Sequence, residues 1–516
     1  MTGADAAGWR TRVVLVALAG AMVAMPLLKY QALASNWFDL GLFESVFYAY
    51  AQEGGTGHAF FGHVQPFMGL YAHVYLWLGP LGLLALQGLA LAALPAWGVW
   101  RQYGPWPALA LLLYYPLWAN ALFDFHFDHL AVPLLLGFYV AYERRRIAWA
   151  MACALLLAWV KEPFALQTAA CGVFLIWQAW RHRAADPLSR RWAMAGGVLV
   201  AAGLAWFYVA TQWLIPHFTG SSGGLDADAF TWLGQGLGSM VGHLVAHPWL
   251  PVTEALANPG KLLYLFICFG LLAFIPLLSP QWLIPALPPL LIAMLARSEN
   301  YYSYGNHYTA GLIAPLIVAF AHGMPVFQRI CSRCGLSSVA TVRSLCFVLL
   351  VGHAMFAPSP LGRLFWSDKV WSYSKQAYWP DARTQRIKSA IAHWIPRDPG
   401  VSVATQNPLN WGHLPRREAY FAFPDGVFDA KAVPGWTSGS AGWRVAPARM
   451  RHADYVVLDE KRPWFLLDQG CLWLHGRCTD EAAAQRYRGA VAEVRKRYAL
   501  VYEDDGFSIF RRTETP

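Results

Sequence analysis

Four short stretches place acids, imidazoles and a lysine in otherwise apolar surroundings. "NWFDLGLFESVFYAY", residues 36–50, carries Asp39 and Glu44, with His58, His63 and His73 following. "DFHFDH" carries Asp124, His126, Asp128 and His129. "WVKEPFAL" carries the adjacent pair Lys161 and Glu162, and "NHYTAGL" carries Asn306, His307 and Tyr308. A carboxylate held in an apolar cavity can take a proton as a general base. Imidazoles grouped with carboxylates can bind a divalent metal ion. A lysine can offset charge that develops on a leaving group. Any single histidine here reads most simply as a solvated loop residue, and "DFHFDH" alone reads as an interfacial turn. Four clusters at one depth point instead to a shared polar cavity, because ionisable groups near membrane depth are costly and usually line one.

The elements that carry these groups follow from composition. The chain has 516 residues, of which 57% are hydrophobic and only 14% charged, with 26 Trp. Soluble domains carry about 25% charged residues. Stretches 13–28, 82–100, 131–142, 194–215, 262–278, 282–296, 310–321 and 345–357 are nearly free of charge. Such runs approach the roughly 17–25 residues that a membrane helix needs, which argues against a soluble helical core.

The net charge of +10 is distributed in a way that excludes a nucleic-acid partner. Arg10, Arg12, Arg101, the run at 144–146, Arg181, Arg183, Arg190, Arg191, Arg329, Arg333 and Arg343 sit between apolar runs, while 34–80 and 216–260 contain no Lys or Arg. That alternation is the positive-inside pattern, which sets orientation. It predicts a cytoplasmic N-terminus, a first helix over 13–33 and a charge-poor outer loop over 34–80. About eleven crossings are expected in all, including a hairpin turning at "SPQ", 279–281. "ALA" at 32–34 resembles a cleavage site, but Lys29 and Tyr30 make it a poor one, so an uncleaved anchor is expected. The fold class expected is mostly α: a polytopic membrane domain, 1–359, and a small extracytoplasmic α/β domain, 360–516. In the latter, "VSVATQ", "AYFAF" and "ADYVVLDE" read as strands. Thr479 is placed to cap a helix, and "YALVYEDDGFSIFRR" reads as a hairpin. Cys331 and Cys334 form a lone pair without the second ligand pair that zinc needs. Cys471 and Cys478 fall in the outer domain, where a disulfide is expected.

"FDLGLFESVFY", "GHVQPF", "DFHFDHLAVPLLL", "WVKEPFAL", "NHYTAGLIAPL", "SVATQNPLNWGHLPRREAYFAFP" and "ADYVVLD" occur in an order that resembles the bacterial membrane-protein family called domain of unknown function 2079. That family looks like a distant branch of the GT-C class of polytopic glycosyltransferases. The resemblance implies a polyprenyl-phosphate sugar donor met at the outer face of the cytoplasmic membrane, with membrane lipid as the other partner. It implies that Asp39, just after the first helix, is the base that deprotonates the acceptor hydroxyl. Glu44, His63, Asp124, His126, Lys161, Glu162, His307 and Tyr308 then become the substrate-binding candidates, with a divalent metal ion as the possible cofactor. Departures from the family pattern are Gly62 before His63, where members often carry Asp, and Glu44 in place of Asp.

Two local conformations are open for "FDFHFDH". An extended chain puts Asp124, His126 and Asp128 on one side. A helical one pairs His126 with His129. In either, Asp124 and His126 are expected to face the cavity that holds Asp39, with a bound cation or a protonated His126 making it attractive to phosphate. Two other functions stay open: a transporter or flippase, against which stands the lack of Gly/Pro-broken helices in matching halves, and a non-catalytic envelope-assembly protein.

Overall fold

The computed structural model describes residues 3–35, 37–53, 63–219, 229–367, 374–398, 400–405, 419–420, 427, 452–461 and 481–513. His58, Cys471, Cys478, Thr479 and most of "AYFAF" lie outside these. Among the described residues, the apolar runs form five helices long and apolar enough to cross a membrane: Trp9–Gln31, Met68–Tyr103, Ser189–Phe218, His307–Arg333 and Ser338–Phe356. Pro105–Leu113 and Tyr115–Phe123 make a sixth span, bent by 53°. The expected count of eleven would need shorter helices to cross as well, among them Ala131–Glu143, Ile147–Ala158 and Pro259–Gly270.

Within the charge-poor stretch 34–80, Leu42–Glu53 is a helix, and the next one starts at Met68. Inside it, Gly79 takes φ 62 before Pro80. Proline disfavours a helical residue before it, and glycine takes the positive φ without strain. The "SPQ" hairpin is a broken segment, with Ala273 and Phe274 at φ 53 and 55 and two 3-10 turns, Ile275–Leu278 and Pro280–Ala286. Cys331 is in the last turn of the helix Ala310–Arg333, and Cys334 caps it.

Helix breaks free carbonyls that lipid cannot satisfy, so other side chains must reach them. Tyr114 donates to the Cys268 carbonyl at 2.8 Å, and Tyr139 to that of Trp282 at 2.7 Å. Gln167 donates to Pro285 at 2.8 Å and Gly311 at 2.6 Å, and Ser279 to Ala319 at 2.7 Å. His353 Nδ1 donates to Leu113 O at 2.9 Å, which leaves Nε2 to accept from the Ser359 hydroxyl at 2.5 Å.

The chain divides into two compact units. The first comprises Met1–Val23, Ala59–Met68 and Leu86–Arg363. Its centre is the span His307–Arg333, 72% buried, against 22–39% for the other four. Beside it, Pro163–Arg181 and Ser189–Val209 pack backbone to backbone. A Cβ on Gly172 would lie 2.4 Å from the Gly196 carbonyl, and one on Gly196 2.6 Å from that of Gly172. Small residues at such contacts let membrane helices approach closely.

The second unit comprises Ala24–His58, Gly69–Ala85 and Leu364–Pro516. It contains a five-stranded sheet in the order β2-β1-β3-β5-β4, with β1 Val403–Thr405, β2 Ala419–Tyr420, β3 Tyr455–Asp459, β4 Tyr498–Asp504 and β5 Phe507–Arg512. β1 is parallel to β2 and β3; β5 is antiparallel to β3 and β4. Asp505 and Gly506, both at positive φ, turn the hairpin as its sequence implies. Along β3, Val456 and Leu458 join Ala490 and Val494 on one face, while Tyr455 and Val457 join Ile387 and Ile391 on the other. That second core also takes in Leu33, and Lys388 donates to the Gln31 carbonyl at 2.6 Å. The end of the first span is thus built into the sheet domain, which sequence periodicity does not reveal.

Candidate functional site

Six of the candidate residues come together in the first unit. Lys161 and Glu162 occupy the break between Ile147–Ala158 and Pro163–Arg181, where Pro163 starts the second helix. Proline suits a first helical position because its missing N–H is not needed there. Both side chains are buried. Glu162 Oε1 pairs with His63 Nδ1 at 2.7 Å, and Oε2 accepts from the Val64 N–H at 3.0 Å. Burial alone would raise the Glu162 pKa. The charge and hydrogen bond of His63, with Lys161 beside it, outweigh that and hold it below the usual carboxylate range. Glu162 is therefore fully engaged. Lys161 is not: among the described residues no hydrogen bond or ion pair reaches its ammonium, which lies 5.7 Å from the centre of the Tyr308 ring.

The imidazoles form a stack. Asn306 caps the turn His307–Thr309 by accepting from the Tyr308 N–H at 3.2 Å. That seats His307 against His126, with ring centres 3.6 Å apart and planes 13° from parallel. Tyr308 lies 4.3 Å from His307. His126 itself is extended, at φ −147 and ψ 145, and the 3-10 turn Phe127–Leu130 starts just after it. The segment is therefore extended through His126 and helical beyond it, so neither single conformation expected for "FDFHFDH" applies throughout. His129 Nδ1 turns back to the His126 carbonyl, and Asp128 Oδ2 has no hydrogen bond among the described residues. Gln87 clamps the segment, donating to the Asp124 carbonyl at 2.8 Å and accepting from the His126 N–H at 3.0 Å. Gln87 is a functional residue that motif reading missed; its signal was a lone amide inside an apolar run.

Burial and the neighbouring His307, opposed by Asp128, push the His126 pKa well down. Burial takes His129 to about 4. The expected protonated His126 is thus replaced by a neutral ring, and Lys161 is the cation that remains. No group of three His, Cys, Asp or Glu side chains among the described residues is placed to hold a metal ion. Stacked rings also aim their in-plane lone pairs along parallel planes, not at one point. These residues do not fit a metal, and no step below is routed through one.

Asp124 is buried where Tyr115–Phe123 ends. Asp39 and Glu44 belong to the second unit. Asp39 is 8% exposed, on the turn Trp37–Gly41. Glu44 is buried on the first turn of Leu42–Glu53; Oε1 accepts from the Tyr75 hydroxyl at 3.4 Å, and Oε2 has no hydrogen bond among the described residues. Burial lifts Glu44 well above the usual carboxylate range despite that bond. His73 is exposed and bonded to the Gly69 carbonyl of its own helix, as a solvated residue would be.

No curated protein matches the chain. Two solved structures are similar to it. A crystal structure of ArnT from Cupriavidus metallidurans bound to undecaprenyl phosphate aligns at 15% identity and TM-score 0.49 over 98% of each chain. The apo state of ArnT from the same organism aligns at 14% identity and TM-score 0.43, again over 98% of each chain. The family model described as "Predicted membrane protein (DUF2079)" matches residues 29–425. Spanning most of the chain, that match places this membrane protein in the DUF2079 family.

Proposed function

We propose that the protein is a membrane glycosyltransferase that takes a sugar from a polyprenyl-phosphate donor at the outer face of the bacterial cytoplasmic membrane. The observation that carries this reading is Lys161: a buried lysine whose ammonium faces an aromatic ring, while its neighbour Glu162 is satisfied by His63 and Val64. A buried cation without a carboxylate of its own is a ready partner for an anionic group. The donor's phosphate is that group. The neutral His126 and His307 rings add polar edges without competing charge.

In the reaction, the acceptor hydroxyl oxygen attacks the anomeric carbon and the carbon–oxygen bond to phosphate breaks. Its proton passes to a carboxylate, and polyprenyl phosphate leaves with its charge offset by Lys161. A single displacement inverts the anomeric centre. The base role is assigned to Asp39 from the sequence resemblance.

The test is undecaprenyl phosphate binding to the purified chain in nanodiscs, with lipid analysis of a deletion strain. Lys161→Met is expected to weaken binding by about 10- to 100-fold, the scale of a charge-assisted hydrogen bond. The deletion strain is expected to accumulate a prenyl-phosphate sugar or lose an envelope sugar. Once turnover is assayed, Asp39→Asn is expected to lower it about 10²–10⁴-fold with folding intact. Unchanged lipids together with Lys161-independent binding would end the proposal.

The helix breaks at Gly79-Pro80 and at Tyr114 favour one second reading, a transporter, since transport sites sit at such breaks. They answer the expectation that broken helices are missing, although no matching halves accompany them. Substrate uptake into proteoliposomes without a chemical change in the lipid would select that reading.

A further inference from the structure

Beyond Lys161 the site continues into aromatic rings that the proposed reaction does not use. Tyr308 lies 5.0 Å from Tyr301 between ring centres, with planes tilted by 39°. Tyr301 lies 5.3 Å from Phe230, with planes at 71°. Two residues further on, Trp232 carries the Arg297 guanidinium 4.7 Å from its ring centre. Arg297 is tied to the same strand of chain through its N–H, which donates to the Ala229 carbonyl at 3.1 Å. Tyr308, Tyr301 and Phe230 are each half-buried, and Arg297 is exposed. The result is a wall of three adjoining rings, with Lys161 beside its first ring and Arg297 over Trp232, two residues along the chain from its last.

Each ring step is roughly the length of one sugar residue. A pyranose presents polarised C–H bonds on its faces, and these suit the negative face of an aromatic ring. Its rim hydroxyls need polar partners, which Glu299 and Asn300, exposed on the turn before Tyr301, can supply. An acyl chain would ask for neither this polar flank nor the cations. We infer that this wall is the acceptor subsite and that the acceptor is itself a glycan. The donor's sugar lies on Tyr308, the acceptor rings on Tyr301 and Phe230, and Arg297 selects an anionic substituent on the acceptor. The inference rests on the glycosyltransferase reading and adds the class of acceptor to it.

The experiment uses the full chain in nanodiscs and two probes. One is undecaprenyl phosphate; the other is the pool of glycans released by mild acid from the envelope of the deletion strain and fluorescently labelled. Tyr301→Ala and Phe230→Ala are each expected to weaken glycan binding about three- to ten-fold, the scale of one aromatic contact, and Tyr301→Phe to restore it. Arg297→Gln is expected to abolish any preference for anionic over neutral members of the pool. Undecaprenyl phosphate binding in these variants is expected to stay at the wild-type level, which also reports that they fold. Glycan affinity unchanged in both alanine variants overturns the inference. So does a wild-type chain that binds undecaprenyl phosphate through Lys161 but no glycan; the donor reading then survives alone. Glycan binding through Tyr301 without Lys161-dependent lipid binding supports the subsite and removes the donor reading instead.

Discussion

Lys161 and Glu162 are adjacent and equally buried, yet only one of them is satisfied. The difference has a consequence for stability. Glu162 titrates below the usual carboxylate range when folded, whereas the unfolded value is near 4.3. The unfolded state therefore binds more protons, so the contribution of Glu162 is present above about pH 4.3 and is lost as pH falls through the folded value. Glu162→Gln is expected to lower the thermal midpoint at pH 7, by about 1–3 kcal/mol in free energy, and to flatten its decline in acid. Wild-type and variant curves that run parallel below pH 4.3 would show that the His63 contact contributes nothing to stability. Lys161, Glu162 and His307 were legible in the sequence because ionisable residues stand out in an apolar run. Gln87 was not, since the role of a neutral amide depends on which carbonyl reaches it. The charge of His126 was not legible, because neither its burial nor its stacking on a residue 181 positions away leaves a local trace (307 − 126).

At the scale of elements, run length and arginine placement made the long spans readable, while the breaks at Gly79 and Tyr114 depend on one or two residues each. The glycine contact between Pro163–Arg181 and Ser189–Val209 illustrates the limit. Gly196 and Gly197 are identical in sequence terms, yet a Cβ on Gly196 meets a carbonyl oxygen at 2.6 Å and one on Gly197 meets nothing within 4 Å. Gly196→Ala is expected to destabilise the helix pair by at least about 1–3 kcal/mol, since backbone cannot move aside as a side chain can. Gly197→Ala is expected to be neutral or stabilising by up to about 1 kcal/mol through helix propensity. Thermal unfolding in detergent separates the two, and equal midpoints would mean that the helices do not touch at Gly196.

The whole chain is harder to read, because its two units interleave in sequence: 24–58 and 69–85 belong with the C-terminal sheet. Composition suggests a separate C-terminal domain from 360, but it does not reveal that Leu33 completes that domain's core. Contacts within each unit nevertheless constrain sidedness. Arg145 pairs with Asp186 at 2.9 Å, so the turns 144–146 and 182–186 share a side. Arg297 bonds Ala229, and Tyr301 touches Phe230, so 229–230 and 297–301 share a side. The helix Ala131–Glu143 stands between His129 and Arg144, and Lys161, His126 and His307 gather at the other end from the arginine turns. In the second unit, Gln31 and Leu33 are joined to the sheet domain. Trp9–Gln31 has 23 residues, about 35 Å of helix at 1.5 Å per residue, enough to cross a hydrocarbon core of about 30 Å. Arg10 and Arg12 at its start favour the cytoplasm for that end, and the expectation from the sequence puts the C-terminal domain on the outer side. Reporter fusions at residue 145 are therefore expected to read cytoplasmic, and fusions at residues 230 and 420 periplasmic. A cytoplasmic reading at 420 would mean that the crossings are miscounted, and the outer position of the sheet domain would be lost. Residues 145 and 230 reading the same side would instead break the first unit's own alternation and leave the position of the sheet domain untouched.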